Sequence, residues 1–228
     1  STQAKTLFPY TTLFRSRLNQ LVGDLLHYAK PLALERQSVS LVDLVKKACA
    51  PTSARLDVLL RVTAAEDVPN VGGDALLLRQ VLDNLVNNAL QAMTGGGTLT
   101  VELRASLATG GPPTRGAELV IRDTGEGMDT VVRKRALDPF FTTRPSGTGL
   151  GLAIVARVID AHGGSLTIRS ERGAGTEVRV FLPADDELVV HARQGQRLVQ
   201  PIIEPFEHPE RGSVDRAAPN ADRKREAS

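Results

Sequence analysis

Tryptophan is absent from the 228 residues, aromatic side chains make up only 4% of them, and there is a single cysteine. A core poor in rings has to be filled by aliphatic side chains, and a hydrophobic content of 41% is enough for one. One thiol, Cys49, allows no internal disulfide and has no metal-ligand neighbours in sequence. It reads as a small apolar core residue of a protein in a reducing compartment. An excess of one charge is also missing. Lys and Arg number 28 against 26 Asp and Glu, a net charge of +2, and no basic patch is interleaved with aromatics. Nucleic-acid binding is therefore not expected. No apolar run approaches the roughly 20 residues of a membrane-spanning helix, and no signal peptide is visible. No membrane contact is expected of this chain, and a cytoplasmic location is, with an anchor left open for a longer protein.

The length suits one or two domains. Residues 1–16 fit nothing that follows. TLFPYTTLFRS, at 6–16, looks like the translation of a common DNA-sequencing adapter, so the segment is set aside as an artefact. The other reading is a divergent amphipathic start. Over 17–31, Leu18, Leu21, Val22, Leu25 and Leu26 stand at helical spacing before Pro31. One helix this short cannot bury its stripe alone and expects a partner helix.

Ser40 with Asp43 reads as the N-terminal cap of a helix over 41–50. Residues 56–62 read as a buried strand, and Asp74 caps a long helix to about Met93, broken by Gly95–Gly97. Strands are predicted at 98–104 and 118–122, with a Gly/Pro-rich loop at 107–116 between them. An irregular connection at 124–147, with a helical piece near 131–137, leads to a helix over 148–162. Strands at 165–170 and 176–182 are joined by a turn at Gly173 and Gly175. The order predicts an α+β fold, a two-layer sandwich with a mixed sheet and helices on one face, as one domain over 32–183. Residues 184–228 are rich in Pro, Arg, Glu and Asp without periodicity and read as mostly disordered.

Four features carry chemistry. Gln80, Asn84, Asn88 and Gln91 share one helix face, opposite Leu77, Val81 and Leu85. Asparagine is a poor helix former, so propensity does not explain the stripe. It is either a solvated face or a set of carboxamide ligands, hard and neutral, suited to Mg²⁺ that bridges phosphates. Asp123-Thr124-Gly125-Glu126-Gly127 follows a strand. It is either an ordinary turn or an acceptor for an exocyclic amine with glycines beside a flat base. Gly147-Thr148-Gly149-Leu150-Gly151 leads into an apolar helix, so that backbone N–H groups and the helix dipole can face an anion. It is neither a P-loop, since no GK[ST] follows, nor a Rossmann fingerprint, since no strand immediately precedes it. Asp138–Arg144 places two phenylalanines in a Gly/Pro-flanked loop. They are either core anchors or the latch of a mobile lid whose Arg144 reaches a phosphate.

In this order and spacing the features resemble the catalytic domain of sensor histidine kinases, within the superfamily that includes Hsp90, MutL and type II topoisomerases. Asn84–Asn88 resembles the N box, Asp123–Gly127 the G1 box, Pro139–Arg144 the F box and Gly147–Gly151 the G2 box, with a terminal glycine box at 173–176. The short lid and the NALQAM ending are most similar to the NtrB-like class. The likeness covers 17–183. It implies a Bergerat-type sandwich preceded by one helix of a dimerisation hairpin. It implies ATP and Mg²⁺ as cofactors, with Asn88 as the metal ligand and Asn84 beside it. Asp123 would hold the adenine amine, and Gly125, Gly127 and Thr176 would shape the base pocket. Phe141, Thr142, Thr143 and Arg144 would belong to the lid. Gly147, Thr148, Gly149, Leu150 and Gly151 would wrap the phosphates. The partners implied are a response-regulator receiver domain and, in a full-length protein, a second copy. Two departures are mild: Arg144 stands where a lysine is usual, and Gln91 where many classes use a basic residue.

One departure is serious. The family's reaction moves the γ-phosphate to a histidine of an H box, and none of His27, His162, His191 and His208 begins H-E-x-x-N/T-P. His162 reads instead as a helix C-terminal residue before a glycine cap. The chain is therefore expected to bind ATP without phosphorylating itself. Three rival readings differ from this one. A MutL- or Hsp90-like ATPase uses a glutamate where Asn84 stands, and an amide cannot take a proton from water. An anti-sigma serine kinase would lack the preceding helix at 17–31. A dimerisation scaffold would have no use for intact boxes.

Overall fold

The computed structural model describes residues 32–108, 113–145, 147–186 and 201–205. The segment 1–16, the helix expected at 17–31 with His27, and the tail histidines His191 and His208 lie outside these residues. The described elements are β1 (Gln37–Val39), α1 (Leu41–Cys49), β2 (Val58–Ala64), β3 (Val71–Gly73), α2 (Ala75–Ala92), β4 (Gly97–Ala108), β5 (Thr114–Asp123), α3 (Thr130–Arg135), α4 (Gly151–Ala161), β6 (Ser165–Glu171), β7 (Gly175–Pro183) and β8 (Ile202–Glu204). Six strands form one mixed sheet in the order β2-β4-β5-β7-β6-β8, and β1 pairs with β3 in a separate two-stranded piece. The α+β two-layer reading holds.

Local chemistry sets the helix starts. Ser40 accepts the Asp43 N–H, and the Asp74 carboxylate accepts those of Leu76 and Leu77. Leu78, Val81, Leu82, Leu85, Val86 and Ala89 make the buried stripe of α2, and Ile154, Val155, Val158 and Ile159 that of α4. Both stripes lie against one face of the sheet. Register aligns Val101, Ile121, Val178 and Ile168 in a row across four strands, with Leu103, Leu119, Val180 and Leu166 in the next. All eight are buried aliphatics, each worth roughly 1.5–3 kcal/mol when fully buried. The opposite face is charged, with Arg104 bonded to Glu118 and Arg122 to Glu177.

Four expectations change in detail. The strand read as buried at 56–62 is the sheet-edge β2, in which only Val58 is buried while Leu59 and Val62 are exposed. At both ends of the Gly/Pro-rich stretch at 107–116 the described residues 107–108 and 114–116 are strand, because β4 and β5 pair from Leu99↔Asp123 to Ala108↔Thr114. Gly116 lies inside β5 in register with Pro183, and it is a glycine there because a Cβ would stand 2.2 Å from the Leu182 carbonyl oxygen and 2.6 Å from the Phe181 ring. Helix α4 starts at Gly151, three residues later than expected, since Gly149 has a left-handed φ of +70°. The tail is not all irregular: Ile202–Glu204 pairs parallel with β6, and Arg169 bonds Glu204 at 2.8 Å.

His162 closes α4, and it also joins two helices. Its ring is fully buried. Nε2 accepts the Asp74 N–H at 2.9 Å and Nδ1 lies 2.7 Å from the Val158 carbonyl, so the neutral ring with hydrogen on Nδ1 fits. Burial holds its pKa below the ordinary value, outweighing the Val158 hydrogen bond that raises it, while Arg36 and Asp74 have smaller and opposite effects. A depressed histidine pKa means that the unfolded chain protonates first as pH falls. The stabilisation is therefore complete above about pH 6.5 and declines below it, down to the folded-state pKa. Urea unfolding at pH 7.5 and 5.5 checks this. A His162→Gln variant is expected to be less stable at both values and to lose less between them than the parent chain. An equal loss in both proteins overturns the assignment.

Candidate functional site

A cavity of about 500 Å³ lies between α2 and the 124–150 segment, floored by the ends of β5, β6 and β7. Its closed end is built around Asp123. The last residue of β5, Asp123 is 5% exposed and stands in register with Leu99 on one side and Thr176 on the other. Its carboxylate accepts the Gly125 N–H at 2.8 Å and also the Thr176 N–H. Burial pushes its pKa up to about 6, against the pull of those two N–H groups and of Arg144. Glu126 N–H donates to the Ala92 carbonyl at 3.0 Å, which ties this loop to the end of α2. Gly127 has φ +62°, and a Cβ on it would stand 2.0 Å from the Glu171 carbonyl oxygen, so no larger residue fits.

The other end is made by α2 and the start of α4. Asn84 and Asn88, one turn apart, face Gly151, whose ideal Cβ position is 3.8 Å from Asn84 Oδ1 and from Asn88 Nδ2. Asn84 Nδ2 is buried and has no hydrogen-bond partner. Such an orphan costs about 1–3 kcal/mol, so a partner in the cavity is strongly favoured. Helix α4 has no side-chain cap. Its first N–H groups and positive dipole end are thus free of a competing side-chain acceptor. A carboxamide pair beside a helix N-terminus suits phosphate oxygens and a hard cation bridging them.

The segment 138–144 separates the two phenylalanines. Phe141 lines the cavity, with the Arg135 guanidinium 4.2 Å from its ring centre. Phe140 is 58% exposed and has a φ of 66°, with its N–H donating to Gly149 at 2.9 Å. Neither is a core anchor. A Cβ on Gly149 would meet the Phe140 carbonyl carbon at 2.4 Å, so the glycine loop and this segment pack backbone to backbone. Thr142 Oγ1 accepts the Arg144 N–H at 3.1 Å. The Arg144 guanidinium reaches back to α2, donating to Gln91 Oε1 at 2.8 Å and the Asn88 carbonyl at 3.4 Å, with Glu126 at 3.9 Å. Gln91, which stands where many classes use a basic residue, makes the shortest of these contacts to Arg144.

Asn84, Asn88, Asp123, Gly127, Phe141, Thr142, Thr143, Arg144, Gly147, Thr148, Gly149, Gly151 and Thr176 all line this one cavity. Two of the expected residues do not. Gly125 lies against Ala92, where a Cβ would come within 2.6 Å of its carbonyl oxygen. Leu150 has no exposed surface and belongs to the hydrophobic core. Sequence reasoning missed Met128, Val132 and Arg172 in the wall, and Ser170 behind it. Val132 follows from the helical face of α3, but Ser170 shows only as one more alternation in a strand.

The family model described as histidine kinase-, DNA gyrase B- and HSP90-like ATPase matches residues 73–186. Sensor histidine kinase ZraS of Salmonella typhi is 35% identical over 170 residues, 73% of this chain and 35% of that protein. The signal transduction histidine-protein kinase AtoS of Escherichia coli K12 is 33% identical over 175 residues, 75% of this chain and 28% of that protein. Among solved structures, full-length ShkA in complex with AMPPNP aligns with a TM-score of 0.63 at 30% identity, over 77% of this chain and 38% of that one. The chain thus spans about a third of the length of these curated relatives.

Proposed function

Because the chain belongs to the family of histidine kinase-, DNA gyrase B- and HSP90-like ATPases, we propose that its cavity binds ATP for transfer of the γ-phosphate to a histidine, as the catalytic domain of a sensor histidine kinase. The observation that carries this is one cavity with a buried carboxylate at its closed end and an unbonded buried carboxamide at the other. Asp123 suits the amine of an adenine, and Asn84, Asn88 and the start of α4 suit the phosphates. Among the described residues no group of three or more His, Cys, Asp or Glu is placed to hold a metal. An ion here would take Asn88, with Asn84 beside it, and complete its shell from phosphate and water, which is how Mg²⁺ binds. When bound, Mg²⁺ supplies charge neutralisation on the phosphate oxygens. Asn84 has no group that takes a proton from water, so its amide favours transfer over hydrolysis.

The acceptor histidine belongs to an H box that this sequence does not contain, and the onward acceptor is the aspartate of a response-regulator receiver domain. A longer protein would act as a homodimer, and its location, cytoplasmic or membrane-anchored, belongs to the same proposal. No helix of the described residues is long and apolar enough to cross a membrane. Calorimetry with a non-hydrolysable ATP analogue tests the reading. Saturable binding that strengthens with Mg²⁺ is expected, and no heat at millimolar nucleotide overturns it. With γ-labelled ATP and Mg²⁺ the chain is expected to remain unlabelled. Stoichiometric acid-labile label would show an acceptor within it.

A further inference from the structure

Ser170 lies in β6, fully buried, in register with Thr176 of β7. Its hydroxyl meets three groups at 2.9 Å each: the Met128 N–H, the Gly175 carbonyl oxygen and the Thr176 hydroxyl. A hydroxyl has one hydrogen and two lone pairs. The Met128 N–H only donates, so it takes one lone pair. The Gly175 carbonyl carries no hydrogen, so the hydrogen on that contact is Ser170's own. Without it, two bare oxygens would face each other. Ser170 therefore has one lone pair left for Thr176, and the Thr176 hydroxyl is the donor. The hydrogen of Thr176 is committed inside the protein, and only its lone pairs remain for the cavity it lines. Asp123, beside it, holds the Gly125 and Thr176 N–H groups and as a carboxylate also offers only lone pairs.

We propose that Ser170 is a specificity-determining positioning residue, which fixes the Thr176 hydroxyl as an acceptor so that the closed end selects an exocyclic amine over an oxo group. The ligand class is a 6-aminopurine nucleotide, and a 6-oxopurine is refused because it meets acceptor with acceptor. Ser170 touches no nucleotide itself and acts through Thr176. The inference rests on the nucleotide reading above.

The test compares ATP with ITP, which carries an oxo group where ATP carries the amine, on the full chain with Mg²⁺. Thr176→Val keeps the side-chain volume and removes the hydroxyl. It is expected to weaken ATP about tenfold and to leave ITP no weaker, because a committed hydroxyl offers ITP only a lone pair that opposes its oxo group. Ser170→Ala frees the Thr176 hydrogen to turn toward the oxo group. It is expected to lower the ATP-to-ITP preference about tenfold, and to have no effect on that preference in a Thr176→Val background. Equal weakening of both nucleotides, or an unchanged preference, in either single variant overturns the proposal. Thr176→Val decides the matter if Ser170→Ala does not fold. Failure of the parent chain to bind either nucleotide would sink the nucleotide reading itself and is distinct from both results.

Discussion

Asp123→Ala is expected to lower affinity for a non-hydrolysable ATP analogue by about 10- to 100-fold, the 1.5–3 kcal/mol of a hydrogen bond to a charged group. The carboxylate is positioned by two backbone donors, Gly125 N–H and Thr176 N–H, before any ligand arrives. An amine bound there would therefore meet it without reorganisation. Asp123→Asn is expected to do nearly as badly. An amide oxygen can take the backbone donors, but the amide NH₂ then turns a donor toward the ligand's own amine. The pH dependence has a definite sign. Burial raises this pKa to about 6, so the empty site protonates below that value and loses its charge. Affinity measured by calorimetry should fall between pH 7.5 and 5.0 in the parent chain and stay flatter in Asp123→Ala. For stability the same shift works in the other direction. The folded state binds the proton more tightly than the unfolded one, so this group's contribution is present below about pH 4 and is lost as pH rises to about 6. Chemical unfolding of parent and Asp123→Ala across that range separates the two effects. Parallel affinity profiles would remove Asp123 from the site.

Gly151→Leu is expected to abolish nucleotide binding, a loss of more than about 100-fold, while the fold stays intact. The position differs from its neighbouring glycines. Gly149 and Gly127 have left-handed backbones and would press a Cβ into other backbone atoms at 2.4 and 2.0 Å. Gly151 is the first residue of α4, and a Cβ on it meets nothing nearer than the two asparagine amides at 3.8 Å. Alanine there relieves the entropy of a helical glycine, so the melting temperature should hold or rise, by up to about 1 kcal/mol of stability. The added methyl nevertheless occupies the gap between α4 and the Asn84–Asn88 face, and a leucine fills it. Thermal unfolding with calorimetry reads both quantities. Unchanged binding in Gly151→Leu would mean that this gap is not where the phosphates go. A collapsed melting temperature would mean that the glycine serves packing.

Much of this was legible from residue order. Ser40 and Asp74 announce their helices by chemistry that acts over three residues, and both caps stand where the sequence put them. The stripe of Gln80, Asn84, Asn88 and Gln91 is a local consequence of helical pitch, and so is its opposition to the apolar face. The length of β4 and β5 was not legible. Glycine and proline near 107–116 read as a loop, but Gly116 belongs to a strand because it pairs with Ser106 on one side and Pro183 on the other. Strand β8 was hidden for a similar reason: three residues have no periodicity, and the edge of β6 is what makes them a strand.

The sequence by itself determined the class of the fold, the order of the motifs and a set of site residues most of which line the cavity. The elements follow from pitch, capping and backbone freedom within a few residues, and the site residues from the resemblance that their motifs carry. Only the tertiary structure decided which side chain answers which. It set Asp123 beside Thr176, joined Arg144 to Gln91, and buried His162 against the start of α2. It also moved Leu150 into the core and left Asn84 with an unbonded amide. Register and packing bring these pairs together from 53 to 88 positions apart, and no local pattern in the chain carries that information.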